Sequence, residues 1–239
     1  MDSAFLVMAF AVLLGAVVQS TVGFGAMLVG TVAGAQLLPP DQLVPLLLPI
    51  GMLQSAIVVA RTWRDVDVRL LGLRIVPAMG LGMAAAALGP GVAAPGMRPV
   101  LGVLVVGVAA KELLRRSDPG PLPRWGSAVV LVGAGVVQTL LATGGPLVVW
   151  AIGREPIPPA RLRSTLNALW LVVNVAIVGT LASEGRVDGA SLVRTAALVP
   201  AALVGVPVGL WLHHRVDERS FRRALWIVLG VCGVPLILT

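Results

Sequence analysis

Two short stretches of the 239-residue chain hold ligand-binding groups within otherwise apolar sequence: Gln19-Ser20-Thr21-Val22-Gly23-Phe24-Gly25, and Gln138-Thr139 followed by Ala142-Thr143-Gly144-Gly145-Pro146. Neither carries a charge. Amides, hydroxyls and glycines in this combination suit anion recognition by peptide N–H groups at a helix end, where the helix dipole supplies the positive potential. Gly23, Gly25, Gly144 and Gly145 permit positive φ and close approach of the backbone to a ligand. Pro146 has no N–H to leave unpaired and fits the first turn of a following helix. Gln19, Ser20, Thr21, Gln138, Thr139 and Thr143 would orient the bound group, and Phe24 sits between the first pair of glycines.

The elements that position these stretches follow from composition. Apolar residues make up 57% and charged residues 12% of the chain, against roughly 45–50% and about 25% in soluble domains. The 28 glycines and 18 prolines are scattered through Leu/Val/Ala runs, which is neither a collagen repeat nor a disordered linker. The chain reads as an all-α polytopic membrane protein. Eight apolar runs cover residues 4–38, 43–60, 70–88, 99–114, 125–152, 163–182, 190–212 and 222–238. The first and fifth are too long for one span of about 20 residues, and each is interrupted by one of the polar stretches. They suit re-entrant hairpins of two half-length helices. Irregular backbone at membrane depth costs several kcal/mol per unsatisfied group, so polar partners are expected at each break. Met1-Asp2-Ser3 has no basic n-region, and the run from Ala4 reads as a retained membrane segment.

The interruptions recur at matching places. A shift of 119 residues lays Val17-Val18-Gln19-Ser20 on Val136-Val137-Gln138-Thr139, Gly25 on Gly144, and Pro39-Pro40 with Leu43 on Pro158-Pro159 with Leu162. A shift of 123 carries Val76-Pro77-Ala78 onto Val199-Pro200-Ala201, Gly82 onto Gly205 and Gly107 onto Gly230. This predicts an N-terminal repeat over 1–116, a linker over 117–123 and a C-terminal repeat over 124–239. Basic residues then decide between parallel and inverted halves. If each broken run enters and returns to its own side, loops 61–69, 111–124, 153–163 and 213–223 share one face and carry 14 of the 18 basic residues, against Arg98 and Arg186 opposite. A single crossing per run erases that bias. The positive-inside rule selects the first arrangement: two inverted-topology repeats, each a broken hairpin plus three transmembrane helices, with both termini extracytoplasmic. Trp63, Trp125, Trp150, Trp211 and Trp226 fall near the same basic face, as an aromatic belt would, and only Trp170 is mid-span.

Other chemistry is excluded. The net charge of +7 is accounted for by topology, and no basic patch interleaved with aromatics suggests nucleic acid. All eleven acids lie in loops or at span ends, so no mid-membrane carboxylate binds a cation or relays protons. Cys232 is the single cysteine, which rules out disulfides and Cys-ligated metal clusters within the chain. No His-x-x-x-His pair, Walker loop or Gly-x-Ser-x-Gly motif occurs, and neither enzymatic activity nor a cofactor is expected. Gly30/Gly34 and Gly205/Gly209 read as small-xxx-small packing. Such faces would equally allow a homodimer. Asn167 and Asn174, two turns apart on one helix face, serve either as helix–helix glue or as substrate contacts. Arg163 would reach an anion from the cytoplasmic side or snorkel to the interface. His213 and His214 read as interface residues.

Gly23-Phe24-Gly25 after a Gln-containing helix, Gly144-Gly145-Pro146 and the Pro-Pro-x-x-Leu elements resemble the sulfite exporter TauE/SafE family over essentially the whole length. That resemblance implies a bacterial inner-membrane permease with duplicated halves for sulfite, a sulfonate such as sulfoacetate, or a related small organic anion. The expected protein is a secondary transporter working by alternating access, with its anion at the tips of the two broken helices. An anion channel and a non-transporting assembly subunit are the alternatives.

Overall fold

Long Leu/Val/Ala runs with few breakers favour the conformation that satisfies every peptide group within its own segment, and in lipid that is the helix. The computed structural model describes residues 3–34, 37–38, 40–88, 97–114, 120–141, 144–187 and 189–238. These form helices and turns without a strand. The helices are α1 (Ser3–Val22), α2 (Ala26–Gly34), α3 (Pro40–Thr62, continued by a 3-10 turn, Trp63–Asp65), α4 (Val68–Leu88), α5 (Met97–Leu114), α6 (Arg124–Leu141), α7 (Gly145–Ile152), α8 (Pro159–Ser183), α9 (Gly189–His213) and α10 (Glu218–Leu238). Five stretches among the described residues are long and apolar enough to cross a membrane: α1, Gln42–Asp65, α4, α8 and Ser191–His213.

The first and fifth apolar runs are each two helices, but their arms are unequal. The expectation of paired half-length helices is corrected: α1 has 20 residues and α2 nine, about 30 Å and 13 Å at ~1.5 Å per residue. The reason is local. Gln19, Ser20 and Thr21 are still helical, and the chain turns only at Gly23 and Gly25, with φ of 100° and 109°, a region that residues with a Cβ rarely adopt.

Contacts divide the chain into two units, Met1–Val66 with Ala160–Asp217, and Asp67–Pro159 with Glu218–Thr239. Each combines elements from both halves of the sequence. In the first unit, α2 returns along α1: Ala26 lies against Gly15 and the far end, Gly34, faces Met8. Next, α3 starts beside Gly34 and runs with α1 until Gln19 Nε2 donates to Ser55 Oγ at 3.0 Å. Met8 and Val12 pack with Leu43, Leu46, Leu47, Ile50, Leu198 and Ala202 as the core. Gly205 and Gly209 let α9 close on α1, since an added Cβ would stand 2.6 Å from the Leu13 carbonyl and 2.5 Å from that of Val17. Gly30 and Gly34 likewise accommodate Leu47 and Leu43, so both small-residue pairs pack helices as expected.

In the second unit, α4 crosses α6 in the same way, Gly82 on the Val132 carbonyl and Gly135 on that of Met79. Gly82 and Gly205 are related by 123 residues, their partners Leu13 and Val132 by 119. A π turn, Leu71–Ile75, opens α4 one turn before Pro77, where the proline ring crowds the carbonyl four residues back and removes an N–H. It places Arg74 against Glu155 at 2.7 Å, beyond the end of α7. Trp63 and Trp211 are exposed beneath Arg64 and Arg215, whereas Trp226 is buried.

Replacing Gly209 with Val forces α9 away from α1. We expect a loss of about 1–3 kcal/mol, read as a lowered Tm in detergent. Gly80→Ala, where a Cβ meets nothing within 4 Å, should be neutral or stabilise by up to about 1 kcal/mol.

Candidate functional site

A helix that ends inside a protein leaves its last carbonyls without intrahelical donors, and at the end of α1 four carbonyls have identifiable donors. The Gln19 carbonyl accepts from Gly23 N at 2.7 Å. The Ser20 carbonyl accepts from Arg163 Nη1 at 3.3 Å, and that of Gly23 accepts from Trp170 Nε1 at 3.0 Å. The Thr21 carbonyl lies 3.0 Å from His213 Nδ1; because a carbonyl only accepts, that nitrogen carries the proton. Thr21 Oγ1 donates to Val17 and Gly209 carbonyls. The tip of the first hairpin is thus held by side chains from α8 and α9.

Polar capacity is left over at this tip. Arg163 is 1% exposed, and its Nε has no protein partner, nor have Ser20 Oγ, Ser164 Oγ and Asn167 Oδ1. Asn167 donates through Nδ2 to the Arg163 carbonyl at 3.0 Å. Asn174, also buried, faces Gly51. Arg163 therefore does not snorkel, and His213, 7% exposed, is a tip residue rather than an interface one.

The other side of the break is the start of α2. Its first intrahelical bond is Val29 N to the Gly25 carbonyl at 3.0 Å, so the N–H groups of Ala26, Met27 and Leu28 have no intrahelical acceptor. They begin level with Gly15, well inside the length of α1. A recess beside them is lined by Val12, Ala26, Met27, Gly30, Ile50 and Gln54, among others. Gln54 is 2% exposed and its Oε1 is unpartnered. Half a turn of the amide exchanges that oxygen for the NH2 group, so Gln54 can present either an acceptor or a donor.

The second hairpin, within its own unit, is closed differently. Here α7 folds back on α6, with Gly144 against Ala134 and Gln138, and Ser127 Oγ donating to the Ala151 carbonyl at 3.5 Å. Gln138 Oε1 accepts from Gly144 N at 2.9 Å. That N–H is therefore already satisfied within the hairpin. Gly144 has φ −66° and Gly145 is helical, so the expected positive φ is corrected for this pair; Gly144 is required because a Cβ would strike the Ala134 carbonyl. Pro146 is buried in the first turn of α7, as expected.

Of the predicted site residues, Gln19, Ser20, Thr21, Gly23, Phe24 and Gly25 gather at the first tip, where Phe24 is fully buried and Asn167 joins them from α8. In the second unit Gln138, Gly144, Gly145 and Pro146 come together, while Thr139 is exposed and bonds back to the Gly135 carbonyl at 3.1 Å. Thr143, linker residues 117–119, Arg115, Arg116 and Asp188 lie outside the described residues. Sequence reasoning assigned no site role to Trp170, His213 or Gln54. Their only signal was a polar group within or beside an apolar run.

A family model described as sulfite exporter TauE/SafE matches residues 7–236. The chain is 23% identical over 233 residues to the "Probable sulfite/organosulfonate exporter TauE" of Cupriavidus necator, covering 94% of this chain and 90% of that one. It is 29% identical over 122 residues to the "Probable inner membrane transporter protein TsaS" of Comamonas testosteroni, a match that spans about half the length of each (51% and 49%). No solved structure matches.

Two substitutions probe the first tip. Gly23→Ala imposes φ 100° on a residue with a Cβ and sets that Cβ 3.0–3.1 Å from Leu166 and Arg163; a loss of about 1–3 kcal/mol is expected. Trp170→Phe leaves the Gly23 carbonyl without its donor, for about 1–3 kcal/mol. Thermal unfolding in detergent measures both.

Proposed function

Since this chain belongs to the sulfite exporter TauE/SafE family, we propose that it is an inner-membrane secondary transporter for a small anion, a sulfite, a sulfonate such as sulfoacetate, or a related organic anion. Family membership makes it a membrane transporter and not an enzyme. The name of the Cupriavidus relative supports the sulfur-oxyanion class. In this reading the two sequence halves are inverted repeats, both termini are extracytoplasmic, and access to the broken hairpins alternates between the two sides of the bilayer.

The observation that carries the reading is the start of α2. A nine-residue helix begins inside the length of α1, with N–H groups free of intrahelical acceptors beside a small recess, with room for about one water molecule, lined in part by Gln54, whose Oε1 is unpartnered. The helix dipole favours negative charge there. Gly23 and Gly25 supply the turn that brings α2 to this depth. In this reading Gln138 and the Gly145 N–H are the corresponding groups of the second hairpin, with Thr139 and Thr143 beside them in sequence, and Gln19, Ser20, Thr21, Asn167 and Asn174 are the polar groups of the first.

Purified protein in liposomes should take up radiolabelled sulfite or sulfoacetate saturably and show counterflow, with chloride transported poorly. Gln54→Leu should raise KM about tenfold, the worth of one lost hydrogen bond to an ion. Linear, non-saturating flux without counterflow would indicate a channel. Absence of flux for every anion, together with stoichiometric co-purification of another protein, would indicate an assembly subunit.

A further inference from the structure

We propose that Arg163 is the residue that selects the charge and shape of the transported anion, and that this anion is the counter-ion the guanidinium lacks in the protein. The inference rests on the transporter reading above.

A guanidinium stays charged in proteins, and burying it in a membrane protein is costly unless opposite charge is near. Arg163 is the largest of the fully buried side chains. Among the described residues it forms no ion pair. The field of Asp65 reaches it, but Asp65 is exposed in the 3-10 turn after α3 and forms no ion pair with it. The other cationic or titratable neighbours, His213 and His214 at the end of α9, add no negative charge. What faces the guanidinium is the C-terminal end of α1, through one bond from Nη1 to the Ser20 carbonyl. The half-charge of a helix end offsets only part of a full positive charge.

A purely structural cap would use its hydrogen bonds up. Here Nε is unspent, as are the hydroxyls of Ser20, whose carbonyl the guanidinium holds, and of the neighbouring Ser164. Nε together with one Nη forms the edge that makes two parallel N–H bonds to an oxyanion. Serine hydroxyls can donate to its remaining oxygens. This set fits a compact oxyanion with charge shared over two or three oxygens, such as a sulfonate or sulfite group. It gives a halide, which has no second atom for the fork, no comparable advantage. Arg163 lies at the cytoplasmic end of α8 in the topology inferred from basic residues, so it would act where the anion enters or leaves the first hairpin on that side.

The test uses the full-length protein in liposomes and in detergent. Wild type should show a sulfoacetate-dependent rise in Tm and saturable sulfoacetate flux. Arg163→Gln should raise the sulfoacetate KM by about 10- to 100-fold, as expected for lost charge-assisted bonds, and abolish the ligand-dependent rise in Tm. Its Tm without ligand should stay within a few degrees of that of wild type, because removing a partly compensated buried charge offsets the lost donor to the Ser20 carbonyl. Arg163→Lys keeps the charge without the fork, and should lose most of its preference for sulfoacetate over chloride. Asp65→Asn should leave KM within about threefold of wild type. Unchanged KM and ligand-dependent Tm in Arg163→Gln, or preserved selectivity in Arg163→Lys, would overturn the assignment while leaving the transporter reading intact. A KM rise in Asp65→Asn equal to that of Arg163→Gln would make Asp65 the counter-ion and also overturn it. A wild type with neither flux nor Tm response to any anion defeats the transporter reading itself.

Discussion

Peptide groups inside a bilayer have no water to fall back on, and a helix that stops there must find a partner for each exposed carbonyl and N–H. The break at Gly23-Phe24-Gly25 raises that requirement at both of its ends. On the α1 side the carbonyls of Ser20, Thr21 and Gly23 draw in Arg163, His213 and Trp170. On the α2 side the first residues, Ala26 and Met27, line a recess with Gln54. The packing of α8 and α9 on α1, with glycines at 205 and 209 removing the side chains that would keep the helices apart, brings the donors within reach.

Much of this was legible because hydropathy and glycine act locally. Long apolar runs predicted the helices, and the two polar, Gly-rich interruptions predicted where they break. The matching order of Gln, Gly, Pro-Pro and Val-Pro-Ala predicted a duplication; Gly82 and Gly205, which that register pairs, each meet a backbone carbonyl, of Val132 and Leu13 respectively. The basic residues implied that the first broken run turns back, and α2 does run back along α1.

The rest depended on distance in space. Nothing adjacent to Arg163 in the chain shows that it will meet Ser20, 143 positions earlier; an arginine near the end of an apolar run looks the same whether it snorkels or is buried. His213 and Trp170 are hidden for the same reason. The unequal arms of the first hairpin were missed because polarity marked Gln19 to Thr21 as the break, whereas backbone strain places it at the glycines. Polar side chains inside a helix can be satisfied sideways, as Gln19 is by Ser55 and Thr21 by Gly209, so polarity alone does not end a helix.

The two hairpins solve one problem by different means, and the difference has an energetic consequence. Gln138 reaches six residues forward to Gly144 N, a bond within the hairpin that is independent of any other element. The first hairpin borrows its partners from α8 and α9. Parting those helices from α1 leaves up to three buried carbonyls without donors, at about 1–3 kcal/mol each, unless water follows. With total stabilities of only about 5–15 kcal/mol in ordinary domains, a dry opening at this tip is prohibitive and a hydrated one is not. Closure of the first hairpin is thus tied to helix docking, and water must enter with any movement that frees Arg163 from Ser20.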